Sequence, residues 1–264
     1  MVQPGGHDER TLRVAMAQAL VEPGRPAANL ERAGALVAQA ADERCDVVVL
    51  PECGDLGWTA TAARLATEEG FRTTVRRYQR LAAEHGVAVV AGLTERDGQR
   101  LYNAAVAIDS DGHLVGRHRK INELDFARAT YSTGSRLEAL PMLGTSVGIS
   151  ICADNSASSL YVPQTLAALG ARVILSPCAW AVPPGFDQAA TPYGDEWVQP
   201  YAAIARQFGV PVVGVSNVGL IADGDWAGWS CIGCSLAVDR EGALVTQLPY
   251  GEAAFEVVDL AVGP

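Results

Sequence analysis

The chain has 264 residues, of which 49% are hydrophobic and 19% charged, enough apolar material for one large domain or two small ones and too much for a disordered polymer. Thirty acidic residues against 20 basic ones leave a net charge of −10, which sets the chain against phosphate backbones and anionic membrane surfaces, so neither nucleic acid nor membrane is expected as a partner. No apolar run approaches the ~20 residues of a membrane span. The opening MVQPGGHDER is polar and has no signal core, so residues 1–10 are expected to form a flexible tail. Six cysteines are few for this length and fit a reduced, cytoplasmic protein better than a disulfide framework.

The elements alternate. Leu12–Ala17 reads as a buried strand, Asn29–Ala41 as a helix by the spacing of Leu30, Ala33, Leu36, Val37 and Ala40, and Asp46–Leu50 as a strand that stops at Pro51. Thr74–His85 is predicted helical and Val87–Leu93 extended. Tyr102–Ile108 and His113–His118 flank Asp111-Gly112, a hairpin signal. Ser146–Cys152 is predicted as a strand, Thr165–Leu169 as a helix ended by Gly170, and Val173–Leu175 as a strand. A helix over Pro200–Phe208 capped by Gly209 follows, then a strand over Val210–Val215. A second hairpin joins Ser235–Val238 and Ala243–Gln247 through Glu241-Gly242. Alternation with hairpins predicts an α/β fold with mixed sheets under covering helices.

Three segments place a reactive side chain where a strand ends. In VVVLPECGDLGW it is Glu52, in GRHRKINELDF Lys120, and in GISICADNS Cys152. Ligands of α/β proteins bind beyond strand ends, so the three ends have reason to converge. A thiol attacks an amide or nitrile carbon, a carboxylate carries the proton to the leaving amine, and an ammonium steadies the oxyanion. Singly, each has a plainer reading: a loop carboxylate, a solvated lysine, a core-filling thiol. No histidine lies near Cys152 in sequence, which counts against a Cys-His hydrolase. The pair Cys231 and Cys234 is one isolated CxxC, a weak zinc signal, and reads better as two cysteines on a strand edge.

Together the segments resemble the nitrilase superfamily of carbon–nitrogen hydrolases. RVAMAQ is similar to the family's start, LPE at Leu50–Glu52 to its glutamate motif, DGHLVGRHRK to its approach to the lysine, and ICAD at Ile151–Asp154 to its nucleophile motif. GARVILSPCAW, GVSNVG and IGCSLAVDREGALV extend the likeness over about residues 12–260, making 11–264 one carbon–nitrogen hydrolase domain. The resemblance implies a four-layer α-β-β-α sandwich with two mixed sheets, a homodimer or higher homo-oligomer, a small-molecule substrate, and no metal or organic cofactor. It implies Cys152 as nucleophile, Glu52 as base, Lys120 as the oxyanion's cation, the Ala153 N–H as a second oxyanion donor, and Asp154 as a structural tie. Asn155, Trp180, Tyr193 and Trp197 are expected to face substrate.

Two departures stand out. Many relatives carry a second glutamate seven residues before a glycine; counting back from Gly134 gives Ala127, and Glu123 is the nearest replacement, with Asp125 next. The stretch after Cys152 reads NSASSLYVPQTL and lacks a frequent Pro-Glu. Residues 181–197, rich in proline, glycine and aromatics, are predicted to be a long loop that shapes the pocket. The expected activity is hydrolysis of a small linear amide or carbamoyl compound. The alternatives are nitrile cleavage, acyl transfer to an amine, and a non-catalytic binding module on the same fold.

Overall fold

The computed structural model describes residues 10–58 and 61–263. In chain order it comprises β1 (Arg10–Gln18), α1 (Pro26–Asp42), β2 (Val47–Val49), α2 (Glu68–His85), β3 (Ala88–Asp97), β4 (Arg100–Ile108), β5 (Leu114–Arg119), β6 (Ala139–Met142) and β7 (Thr145–Ile149). Next come α3 (Tyr161–Ala168), β8 (Val173–Cys178), β9 (Ala181–Val182), α4 (Asp195–Phe208), β10 (Val212–Ser216) and β11 (Val218–Leu220). The last strands are β12 (Ser230–Ile232), β13 (Leu236–Val238), β14 (Leu244–Gln247) and β15 (Ala254–Val262).

Local chemistry sets the boundaries. Pro26 opens α1, where its missing N–H costs nothing. The Thr67 hydroxyl accepts from the Gly70 N–H at the start of α2, and Gly86 closes that helix in a left-handed conformation. In both hairpins an aspartate carboxylate folds the turn: Asp109 accepts from the N–H groups of Asp111 and His113, and Asp239 from those of Glu241 and Ala243.

One six-stranded sheet runs β15-β1-β2-β3-β4-β5 and a second runs β14-β13-β10-β8-β7-β6. Each has three parallel strands flanked by antiparallel ones. A small sheet, β11-β12-β9, stands apart. Strand alternation assigns the layers. Val14 and Met16 of β1, Val47 and Val49 of β2, and Val90 of β3 share one core with Val147, Ile149, Val173 and Leu175 of the second sheet. The intervening Ala15, Ala17, Val48, Val89 and Ala91 pack instead on Val37 and Ala40 of α1 and on Val75, Tyr78 and Leu81 of α2. α3 and α4 pack on each other and on the second sheet, which completes the α-β-β-α order.

Some boundaries differ from the sequence reading. The strand expected to run to Cys152 ends at Ile149, because Cys152–Asn155 coils into a 3-10 turn. Residues 181–197 are not all loop: β9 opens them and Asp195–Trp197 form the first turn of α4, so Pro200 lies inside that helix. Strands β6 and β15 had no separate signal. Of the expected tail over residues 1–10, all but Arg10 lies outside the described residues; β1 begins at Arg10. No helix among the described residues is long and apolar enough to cross a membrane.

Candidate active site

Glu52 sits where the two sheets meet. Pro51 cannot continue the ladder, so the chain leaves β2 and turns. The Glu52 N–H donates to the Cys178 carbonyl of the opposite sheet at 3.1 Å, while Pro51 O accepts from the Gly92 N–H of β3 at 3.1 Å. Gly92 is required here: a Cβ at that position would lie 2.5 Å from the Glu52 Cα. The carboxylate is buried, and its Oε1 accepts from Lys120 Nζ at 2.7 Å and from Asn103 Nδ2. Its Oε2 has no hydrogen-bond partner.

Lys120 follows β5 directly. Its N–H donates to Asn103 O and its carbonyl accepts from the Gly134 N–H, both at 2.8 Å. Gly134 lies so close to the Arg119 carbonyl that no Cβ would fit there. Burial works against the Lys120 charge, but Glu52 and Glu123 outweigh it and hold the ammonium well above its ordinary value. Glu123 Oε2 is 3.9 Å from Nζ, neither of its oxygens has a hydrogen-bond partner, and burial pushes this carboxyl up to about 8. Asp125 is fully exposed and points away, and Ala127 is buried in a cluster with Cys53, Trp58 and Tyr131. The Lys120 ammonium also lies 5.5 Å from the centre of the Trp58 ring.

Cys152 stands at an elbow with φ +44°, a region non-glycine residues seldom enter. Asp154 fixes the turn. Its Oδ2 accepts from the Ile151 N–H and pairs with His118 Nε2, and its Oδ1 accepts from the N–H groups of Ile121 and Asn122 after Lys120. One carboxylate therefore ties the cysteine segment to the lysine segment. Burial would raise the Asp154 pKa, but these bonds outweigh it and hold the group below its ordinary value. Ser176 accepts from the Cys152 N–H at 3.2 Å and from Asn155 Nδ2 at 2.9 Å. The neighbouring Cys178 thiol, burial and the Glu52 charge push the Cys152 thiol well up, while Lys120 pulls it down.

Lys120 and Cys152 line one cavity of ≈ 120 Å³. Ala153 lines it too, with walls from Trp58, Trp180, Tyr193, Trp197 and Trp226, and Glu196 beside them. A larger cleft of ≈ 270 Å³ under Phe71 is lined by no cysteine.

A family model described as carbon-nitrogen hydrolase matches residues 13–262. The chain belongs to the carbon–nitrogen hydrolase family. It is 32% identical over 140 residues to the aliphatic nitrilase of Rhodococcus rhodochrous, covering 47% of this chain and 38% of that protein. It is 27% identical over 247 residues to the omega-amidase NIT2 of Mus musculus, covering 90% and 84%. The chain spans less than two thirds of the length of the nitrilases it matches. Its fold is similar to that of an amidase from Nesterenkonia sp. AN1 (TM-score 0.81, 21% identity, 94% and 93% covered), in which acrylamide has added to the active-site cysteine.

Within this member of the carbon–nitrogen hydrolase family the structure brings Glu52, Lys120 and Glu123 into one buried cluster and sets Lys120 and Cys152 on one cavity. Ala153, Trp180, Tyr193 and Trp197 line that cavity. Asn155 does not; it is buried behind the elbow on Ser176. Sequence reasoning passed over Asn103, Ser176, Trp58 and Trp226. A signal existed for the first two, since Asn103 directly precedes an apolar strand run and Ser176 interrupts one. Trp58 and Trp226 lie in irregular segments with no pattern to mark them.

Proposed function

We propose that the chain hydrolyses a carbon–nitrogen bond of a small amide through a thioester on Cys152. The observation that carries this is the free Oε2 of Glu52, on a carboxylate whose other oxygen holds Lys120, beside the cavity that Lys120 and Cys152 share. The Cys152 thiol is protonated at rest, so its proton passes to Glu52 as the S–C bond forms. The amide oxygen takes up negative charge facing the Lys120 ammonium and the Ala153 N–H. The C–N bond then breaks, and Glu52 hands the proton to the leaving nitrogen. Water attacks the thioester next: Glu52 takes its proton, the C–S bond breaks, and the proton returns to sulfur. Glu123, with Oε2 3.9 Å from Nζ, helps hold Lys120 in position.

Ammonia release from a panel of short amides, with the acyl-enzyme trapped for mass measurement, tests this. Activity above a hundredth of wild type in Cys152→Ala overturns it, and labelling of Cys231 instead of Cys152 by iodoacetamide favours a binding module. Likeness to a nitrilase supports a second reading, in which the same thiol attacks a nitrile and forms a thioimidate. Acid and ammonia from nitriles, with amides untouched, would select it. We further propose that the chain works as a homodimer or larger assembly; a stable 27.7 kDa species in light scattering at micromolar concentration overturns that.

A further inference from the structure

We propose that the cavity selects acyl compounds carrying a positively charged nitrogen at the end remote from the scissile bond. The inference rests on the hydrolase reading for which end of the substrate meets Cys152. Five aromatic rings line the cavity: Trp58, Trp180, Tyr193, Trp197 and Trp226. The faces of such rings are negative, and a cation shed of water binds them better than any neutral group of the same size, tryptophan most of all.

The charges point the same way. Among the described residues Glu196 is the one acidic residue lining the cavity, and it is exposed, in the first turn of α4. Lys120 is the one basic residue lining it among the described residues, and its charge is engaged by Glu52 at 2.7 Å. Asp195 and Asp225, next in sequence to lining residues, are exposed acids. A substrate ending in a carboxylate would meet Glu196 and no unengaged cation among these lining residues. A neutral chain would gain apolar contact and nothing from Glu196.

The walls are held in place before any ligand arrives. Trp180 stacks on Trp197 with centroids 5.1 Å apart, and Trp226 on Trp229 at 4.2 Å. Trp58 meets Trp226 edge-on at 5.0 Å, and Trp197 Nε1 donates to the Tyr193 hydroxyl at 2.9 Å. Rings fixed this way lose little freedom on binding. At ≈ 120 Å³ the cavity takes only a short acyl chain, so the cationic end comes to the mouth, where Glu196 stands.

Two amides of matched shape test the inference: 4-(trimethylammonio)butanamide and its neutral isostere 5,5-dimethylhexanamide. Titration calorimetry on Cys152→Ala reads binding without turnover. The cationic amide is expected to bind at least about tenfold tighter, the scale of one desolvated cation–aromatic contact. Glu196→Gln is expected to cut that ratio severalfold, as is raising the salt, since Glu196 is exposed. Equal binding of the two amides overturns the inference, and so does tighter binding of 4-phenylbutanamide than of the cation, which would make the cavity an aryl site. Ammonia release by the wild-type chain reads the hydrolase proposal separately. Selective binding with no release from any amide overturns hydrolysis and leaves the cation site standing. Equal kcat/KM on both amides with equal binding does the reverse.

Discussion

Cys53 and Cys152 share a backbone conformation, φ +44° each, just beyond strands β2 and β7 of opposite sheets. Both are buried and both feel the Glu52 charge, but their access differs. The Cys53 thiol is sealed between Asn103 Oδ1 at 3.5 Å and the Tyr131 hydroxyl at 3.8 Å, and it is not among the residues lining the cavity that Cys152 borders. The Cys152 thiol borders open space beside an ammonium. A strained elbow is therefore not by itself the mark of a nucleophile. In the first elbow the turn delivers the residue before it, Glu52, towards the opposite sheet; in the second it delivers the cysteine itself. Both elbows are over-determined by their neighbours, the first by Gly92 and Cys178, the second by Asp154 and Ser176.

The largest expected effect breaks the second elbow's chemistry. Cys152→Ala is expected to lower kcat about 10³-fold or more with the circular dichroism spectrum unchanged. Glu52→Gln and Lys120→Ala are each expected to cost about 10²–10⁴-fold, the range of a lost general base or oxyanion-stabilising group. The double variant should lose no more than the worse single one, because the groups act as a unit. Additive losses in that cycle would mean the two side chains work independently, contrary to their 2.7 Å contact.

Glu123→Gln follows, with kcat expected to fall about 10²-fold above pH 8, where the wild-type carboxyl is charged. It also carries a stability signature. The Glu123 carboxyl keeps its proton up to about 8 in the fold against an ordinary 4.5, so the folded chain binds the extra proton between those values. Wild-type stability therefore falls as pH rises through that window. The variant has no such proton to lose, so its Tm should gain on the wild type from pH 5 to pH 8. A constant Tm difference across that range would show that Glu123 ionises freely in the fold.

The sequence carried the layers well because strand alternation and helical spacing are local properties. Val14 and Ala15 face opposite ways whatever surrounds them. Its motif residues were legible for a different reason: proline after β2 and the polar interruption after each apolar run mark where a strand must stop. What it could not carry was pairing at a distance. Asn103 holds Glu52 from 51 residues away, and Asp154 joins the lysine segment to the cysteine segment across 33. Glu123 was identifiable only as a carboxylate near Lys120; that it turns inward while Asp125 turns out follows from the short 3-10 turn starting at Asp125. The aromatic walls come from three separate segments, so no window of sequence contains them.

The smallest effect belongs to the first elbow. Cys53→Ala keeps the Cβ, and with it the backbone conformation, and removes only a buried sulfur. The loss is one weak thiol contact to Asn103 and one to Tyr131, plus a small void, so about 1 kcal/mol of stability and a few degrees of Tm are expected to go. Asn103 keeps its bonds to Glu52 and to the Lys120 N–H, so the cluster that holds the ammonium stays intact. kcat should remain within about threefold of wild type, far from the loss of a group that acts in the chemistry. Iodoacetamide should separate the same two cysteines in the unaltered chain. Burial and Glu52 push both thiols well up, so access separates them: Cys152 borders the cavity, with Lys120 pulling its thiol part of the way back, whereas Cys53 is wholly enclosed. Peptide mapping after brief exposure is expected to find Cys152 modified and Cys53 intact. Equal labelling, or a loss of kcat in Cys53→Ala near that of Lys120→Ala, would mean the first elbow takes part in the reaction through more than the glutamate it positions.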